Sequence, residues 1–324
     1  MTRIAVDAMG GDRGPAAVVE GALAARADGI EPVIFGSTSL DTRGLRFVPT
    51  TQVVGMDEKP ADAFRTKEDS SLVRAVKAVA DGEAEAVVSP GNTGAMLAAG
   101  LVLLRRVPGV RRPAIAVPIP ARKGPSVLID AGANADCRAE HLLQFATMGA
   151  VFAEEILDIA RPSVRLLSIG EEDEKGNQLT LEAHELLAGS DLDFRGNAEG
   201  RDVLEGAADV LVTDGFTGNV ALKTMEGLAK LIVEQMRTEF SRNAFSKLSG
   251  LLARPVLKRV GAGLDPRRYN GACMVGLTAV VVKSHGSADR VAFAQAITTA
   301  ATAMRRGLPA AIANALGQDK GGAG

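Results

Sequence analysis

Tryptophan is absent from this 324-residue chain, and tyrosine occurs once, at Tyr269. With 37 Lys plus Arg against 39 Asp plus Glu, neither sign of charge dominates. Few aromatic rings and a balanced charge argue against a base-stacking surface or a nucleic-acid partner. Cysteine is nearly absent too: Cys137 and Cys273 are too far apart for a disulfide framework or a zinc site, and both are expected to be reduced. His141, His184 and His285 lack metal-ligand spacing, so no metal is expected; no cofactor is expected either. The longest uncharged apolar stretch, near Gly271 to Val282, falls short of the ~20 residues that span a bilayer. Asp7 and Asp12 stand where a secretory signal would need an apolar core, so a soluble, cytoplasmic chain is expected. A P-loop, a Gly-x-Gly-x-x-Gly turn and a Gly-x-Ser-x-Gly elbow are all missing. Their absence removes the usual sequence support for a P-loop nucleotide site, a Rossmann dinucleotide site and a serine acyl-enzyme.

What the chain does have is a series of apolar runs that end in small polar turns. Val87-Val88-Ser89 leads into Pro90-Gly91-Asn92-Thr93-Gly94, and Leu128-Ile129-Asp130 into Ala131-Gly132-Ala133-Asn134. Leu166-Leu167-Ser168 leads into Ile169-Gly170-Glu171, and Val210-Leu211-Val212 into Thr213-Asp214-Gly215-Phe216-Thr217-Gly218-Asn219. The chain opens the same way, with Ile4-Ala5-Val6-Asp7 before Ala8-Met9-Gly10-Gly11-Asp12. In a parallel sheet such carboxyl-terminal strand ends share one edge, where ligands bind. Glycines let the backbone approach a ligand, and Asn, Thr and Asp supply donors and acceptors.

Helical periodicity follows nearly every strand candidate, which predicts a three-layer α/β/α fold over residues 1–316. Pro15 opens the first helix, Ser70 or Ser71 caps one through Leu72, Val76 and Val79, and Glu140 to Ile159 forms another. A helix through Met96, Leu97, Leu101 and Leu104 is stopped by Pro108-Gly109. From about Met225 to Leu264 the pattern is helical without strands, with Met225, Leu228, Ile232, Met236 and Phe240 on one face and an exit turn at Pro255 and Gly261/Gly263. Residues 317–324 are expected to be a disordered tail.

The turn Val6-Asp7-Ala8-Met9-Gly10-Gly11-Asp12-Arg13-Gly14-Pro15 resembles the opening of the bacterial phosphate acyltransferases, the acyl-carrier-protein:phosphate acyltransferases of phospholipid synthesis. Ser89 to Ala95 is similar to that family's Ser-Ala-Gly-Asn-Thr-Gly-Ala, with Pro90 as a departure. Further similar blocks are Ile129-Asp130 with Gly132-Ala133-Asn134, Ile169 to Glu172 with Lys175-Gly176-Asn177, Gly196 to Asp202, and Val212 to Val220. Lys283-Ser284-His285-Gly286-Ser287 matches up to Ala288, where a second Ser is usual, and Asn270 replaces the expected Gly after Tyr269. The blocks run in order from residue 4 to about residue 290. The resemblance implies transfer of an acyl group from acyl carrier protein to inorganic phosphate. It also implies an isopropylmalate-dehydrogenase/phosphotransacetylase-like fold with a protruding helical hairpin, a homodimer, and attachment to the inner face of an anionic membrane. The product would pass to a downstream glycerol-3-phosphate acyltransferase.

That reaction needs no covalent intermediate, only positioning, amide donors and a cation. Lys175 is the first candidate, on its place past a strand and on the family match; the alternative is a solvated loop lysine. Asn219 is a candidate donor or a helix cap, and His285 a proton donor to the departing thiolate or a buried structural histidine. Candidates for phosphate or substrate binding are Gly10, Gly11, Asp12, Asn92, Thr93, Gly94, Asn134, Asn177, Asp214, Thr217 and Gly218; for Asn92, Thr93 and Gly94, helix capping alone is the other account. Cys137, near a helix start, is taken as structural. Asp7, Asp12, Asp130 and Asp214 are taken as strand-end caps and not as metal ligands. Six basic residues and no acid lie between Arg105 and Lys123, a possible patch for an acidic carrier protein. Arg242, Lys247, Arg254, Lys258 and Arg259 interleave with Phe245, Leu248, Leu251 and Leu252, the expected membrane contact. A CoA-dependent phosphotransacetylase-like enzyme, a decarboxylating dehydrogenase of the same fold group and a non-catalytic membrane-surface scaffold are the competing readings. Tyr269 as the only Tyr weakens the dehydrogenase, which wants a Lys–Tyr pair.

Overall fold

The structure is a computed structural model that describes residues 1–263 and 265–318. Eleven strands among the described residues form one sheet in the order β3-β2-β1-β4-β11-β10-β5-β6-β9-β7-β8. They are β1 (Thr2–Asp7), β2 (Ile30–Gly36), β3 (Arg46–Pro49), β4 (Ala86–Ser89), β5 (Ala114–Ile119), β6 (Ser126–Ile129), β7 (Ser163–Leu167), β8 (Asp193–Ala198), β9 (Val210–Val212), β10 (Ala272–Val275) and β11 (Val280–Lys283). The helices are α1 (Pro15–Ala25), α2 (Pro60–Thr66), α3 (Ser71–Ala80), α4 (Thr93–Ala99), α5 (Ala139–Leu157) and α6 (Gln178–Ala188). After them come α7 (Asp202–Glu205), α8 (Gly215–Ser241), α9 (Ala244–Gly263), α10 (Arg290–Arg305) and α11 (Leu308–Gln318).

Alternation along the strands sorts the core into two layers. Ile4, Val6, Ile34, Val88, Ile129 and Val212 point toward α1, α5, α6, α10 and α11, where Phe145, Phe152 and Phe293 are fully buried. Ala5, Val33, Phe35, Val87, Leu128 and Leu211 point the other way, under α2, α3, α4 and the part of α8 that carries Leu222 and Met225. Each buried Phe contributes roughly 1.5–3 kcal/mol through removal from water. The expected α/β/α layering is therefore present.

Strand direction departs from expectation. β3, β2, β1, β4 and β11 run parallel to one another, as do β6, β9, β7 and β8. Between them β11–β10, β10–β5 and β5–β6 are all antiparallel. Three reversals leave the two half-sheets running in opposite directions. Along the row Val88–Val282–Cys273–Ala116–Ile129–Val212, the carboxyl end of β4 lies toward one edge and that of β6 toward the other. The strand-end turns thus gather at two edges, and not at the single edge expected for a purely parallel sheet.

Local signals behave as the chain chemistry requires. Pro15 starts α1, the Ser70 hydroxyl accepts from Val73 N–H at 3.4 Å, and Asp289 caps α10. The helix after Gly94 tightens less than expected: α4 ends at Ala99 and a π-type turn carries Gly100–Leu104 to Arg105, whose φ of 65° ends it. Pro255 does not mark an exit, since α9 runs through it to Gly263. Gly317 and Gln318, expected to be tail, belong to α11; the rest of that expected tail, residues 319–324, and Leu264 lie outside the described residues.

Candidate active site

At the first edge, β1, β4 and β11 deliver three turns that interlock. Buried Asp7 accepts from Met9 N–H at 3.0 Å and from the Ser89 hydroxyl at 2.6 Å, and Ser89 in turn accepts from Gly91 N–H at 2.9 Å. A Cβ at Gly10 would stand 2.4 Å from Gly91 Cα, so only glycine lets these turns touch. Asp12 N–H donates to Gly286 O at 2.8 Å, which ties in the third turn beside Gly11. Lys283 Nζ donates to Pro90 O at 2.7 Å and to Ser284 O. Burial pushes its ammonium down to about 8, against Asp7 and Asp12, which favour the charge, and with Lys223, which opposes it. Asn270, the residue that departs from the family's glycine, clamps this last turn. Its Nδ2 donates to Ser284 Oγ at 2.8 Å and Ala292 O at 2.7 Å, and its Oδ1 accepts from His285 N–H at 3.0 Å.

The second edge is organised by buried Asp130 at the end of β6. It accepts from the N–H groups of Ile115, Gly132, Ala133 and Asn134 and from Asn134 Nδ2, at 2.8–3.2 Å. Burial raises this carboxyl against the pull of those bonds. The neighbouring turn after β9 starts α8. Asp214 caps that helix by accepting from Thr217 N–H at 2.9 Å, and the Thr217 hydroxyl donates to it at 2.8 Å. Gly218 packs so closely that a Cβ would sit 2.0 Å from Asp130 O. Asn219 is exposed in this first turn, with its side chain beside Gly132. Lys175 lies in the turn after β7, exposed, with its stem against Gly170 and its carbonyl accepting from Ser168 Oγ at 2.9 Å.

Helix α8 joins the two edges. Seven residues beyond Asn219, about 10 Å along the axis and on the same helix face, Glu226 meets the first edge. Its carboxylate accepts from Lys223 Nζ at 2.8 Å and faces His285 Nε2 at 3.7 Å. His285 Nδ1 accepts from Ser287 N–H at 3.1 Å and lies 2.9 Å from Ser287 Oγ, which leaves Nε2 as the protonated nitrogen toward Glu226. Burial pushes Glu226 up, but the bonds from His285 and Lys223 outweigh it and hold the carboxyl below its usual range.

The sequence-derived candidates therefore divide. Gly10, Gly11, Asp12, Asn92, Thr93, Gly94 and His285 stand at the first edge; Asn134, Lys175, Asn177, Asp214, Thr217, Gly218 and Asn219 at the second. Several are occupied structurally. Asn92 caps α4 through Ala95 N–H and spends its amide on the carbonyls of Gly55, Met56 and Glu58. Gly94 makes room for Pro60, Asn134 donates to Pro113 O, and Asn177 caps α6 through Thr180 N–H. The side chains of Asn92, Asn134 and Asn177 thus hold turns and caps. Asn219, by contrast, is not the cap, because Asp214 is, and His285 is exposed and not buried. Cys137 is held inert: burial first, then the Asp130 charge, push its thiol up to about 12. Asp7 and Asp12 lie at one edge, Asp130 and Asp214 at the other, and among the described residues no group of His, Cys, Asp or Glu is placed to hold a metal.

Sequence reasoning missed Lys283, Glu226, Lys223 and the clamp role of Asn270. Lys283 carried a signal, since it ends the apolar run Val280-Val281-Val282. Glu226 carried one as well, two helical turns from Asn219.

A mixed sheet with opposed half-sheets, glycine-lined strand-end turns and helices on both faces defines an α/β fold that solved phosphotransacetylases share. A phosphotransacetylase from Streptococcus pyogenes superposes with a TM-score of 0.63 at 18% identity over 94% of each chain. A branched-chain phosphotransacylase from Enterococcus faecalis gives 0.61 at 16% identity over 94% of this chain and 99% of that one. A family model described as "Fatty acid synthesis protein" matches residues 2–311. A phosphate acyltransferase from Alkalilimnicola ehrlichii is 46% identical over 95% of this chain and 94% of its own length. Another from Halorhodospira halophila is 48% identical over 94% and 93%. The chain belongs to the fatty acid synthesis protein family, alongside these phosphate acyltransferases.

Proposed function

We propose that this chain transfers a fatty acyl group from acyl carrier protein to inorganic phosphate, yielding an acyl phosphate for phospholipid synthesis. The observation that carries the reading is the match, at 45–48% identity over nearly the whole chain, to relatives named phosphate acyltransferase. A phosphate oxygen attacks the thioester carbonyl, a tetrahedral oxyanion forms, and the carbon–sulfur bond breaks to release the carrier thiolate. Positioning of the two reactants supplies roughly 7–11 kcal/mol of the barrier reduction and one oxyanion donor about 3–4 kcal/mol.

The reacting centre of this proposal is the second edge. Lys175 neutralises phosphate, and Asn219, which is free of a capping role, donates to the oxyanion, with the Gly132 and Gly218 turns giving close access. His285 faces Glu226, which stands about 10 Å further along α8 than Asn219, so in this reading it contacts another part of the same extended ligand and not the carbon held by Asn219. The first-edge turns at Gly10–Asp12 and Thr93 flank that part. The continuous sheet supports residues 1–316 as one catalytic unit. In the α8–α9 hairpin Phe245, Leu248, Leu251 and Leu252 are 55–79% exposed beside cationic residues, which supports docking on an anionic membrane from its cytoplasmic side. No helix among the described residues is long and apolar enough to cross a membrane. The exposed stem at Leu228, Leu231 and Ile232 supports pairing in a homodimer. The reactive acyl phosphate then passes to a glycerol-3-phosphate acyltransferase.

The test is phosphate-dependent conversion of palmitoyl-carrier-protein to an acyl phosphate trapped with hydroxylamine, run beside palmitoyl-CoA. Conversion of the carrier-bound substrate is expected; strict dependence on CoA would replace the carrier reading, and no product from either would end it.

A further inference from the structure

Between Arg105 and Lys123 the chain crosses the sheet as β5, so the six basic residues there do not form one patch. Arg122 and Lys123 lie at the opposite end of β5, and Arg122 pairs with Glu205 at 3.1 Å. Arg105, Arg106, Arg111 and Arg112 stay at the second edge, where Arg138 opens α5. All five are exposed, and among the described residues none pairs with a carboxylate, although Asp136 and Glu140 flank Arg138. Their field reaches inward: the His141 imidazole is held below its usual range by burial and then by Arg112, with Arg111 and Arg138 adding and Glu140 opposing.

The loop that carries them is fixed to α5. Arg111 N–H donates to Gln144 Oε1 at 2.8 Å, Gln144 Nε2 donates to Gly109 O at 2.9 Å, and the Arg106 guanidinium donates to Arg111 O. Beside it lies a hollow of about 420 Å³ lined by Leu101, Arg105, Arg106, Val107, Pro108 and Val110. Next to that hollow Val102 is 58% exposed. We propose that Arg105, Arg106, Arg111, Arg112 and Arg138 form the surface on which an acidic carrier protein docks, with an apolar contact of that partner filling the hollow.

Three features favour a protein partner over a lipid surface. Every cation is an arginine, whose fork grips carboxylates in two-point fashion. The apolar contact is small, a shallow depression edged by Arg105 and Arg106, and not an extended greasy face. The patch also borders the turn that holds Asn219: Pro113 O, next to Arg112, accepts from Asn134 Nδ2 at 2.8 Å, and Asn134 O accepts from Gly215 N–H at 2.7 Å. A carrier seated here presents its thioester to the reacting centre, so the inference rests on the acyl-carrier reading above.

The experiment compares wild type with Arg111→Glu/Arg112→Glu on palmitoyl-carrier-protein and on palmitoyl-pantetheine, a thioester without the protein, at low and high salt. For the carrier, KM is expected to rise at least ~10-fold and its salt dependence to flatten, since one-sign patches steer encounter. The pantetheine thioester is expected to show no such selective loss, and Arg122→Glu/Lys123→Glu is expected to match wild type on both. An unchanged carrier KM, or equal loss on both thioesters, overturns the proposal. Loss of liposome binding with the carrier KM intact would assign the face to lipid, and an altered oligomeric state would assign it to contact between copies; either also overturns it. Direct binding of unacylated carrier to both variants reads the surface even if wild type forms no acyl phosphate, which separates the two failures.

Discussion

Glu226 holds Lys223 and His285 at once, whereas the side chains of Lys175 and Asn219 have no such ties among the described residues. That contrast sets the outcome of substitution. Lys175→Ala and Asn219→Ala are each expected to lower acyl phosphate turnover at least tenfold, about 1.4 kcal/mol, with the thermal midpoint kept. Asn92→Ala and Asn134→Ala should do the reverse: each strips buried carbonyls or turn donors of partners, costs about 1–3 kcal/mol of stability, and shows first as a lower midpoint. Lys283 gives a pH test. Its folded-state pKa of about 8 lies below the ordinary 10.5, so between those values the unfolded chain binds the extra proton. Stability contributed by this site therefore rises as pH climbs from about 8 toward 10.5. Urea midpoints of wild type should show that rise, and those of Lys283→Met should lack it. Part of this residue chemistry was legible beforehand: Asp, Asn and Ser at strand-to-helix junctions are capping residues on physical grounds. Which of them also face a ligand was not legible, because that depends on carbonyls such as Gly55 O and Pro113 O brought in from distant segments.

At the scale of elements, α8 and α9 break the pattern of helices that bury a stripe. The spacing Met225, Leu228, Ile232, Met236 on α8 reads correctly as one helical face, yet beyond Met225 that face is largely exposed. Periodicity reveals the face but not what covers it. Pro255 misled the reading because an exposed helix tolerates a missing N–H where solvent or a side chain takes the free carbonyl. Leu248→Glu with Leu252→Glu is expected to abolish sedimentation with anionic liposomes while carrier-dependent activity in solution persists. Each acid removes an apolar contact and adds repulsion of about 1 kcal/mol near an anionic surface. Cosedimentation at wild-type levels would count against the hairpin as the lipid contact.

For the whole molecule, alternating strands and helices made the three layers readable, and the glycine-rich strand ends marked the turns at the sheet's two edges. The reversal of half the sheet was hidden. Direction is decided by which strand pairs with which, and β10 and β11 come from 150 residues or more after β5 and β4, a separation that no local pattern encodes.

The same two strands have a consequence for how the chain is made. β11 pairs with β4, and β10 with β5, so the slot at the middle of the sheet is filled by residues 272–283, which leave a ribosome 150 residues or more after the strands they join. Until then the nascent protein carries two facing unpaired strand edges, each able to accept a strand from a neighbour. A fragment that stops at residue 263 is expected to collect in the insoluble fraction, and co-expression of residues 265–324 as a separate peptide is expected to recover part of it.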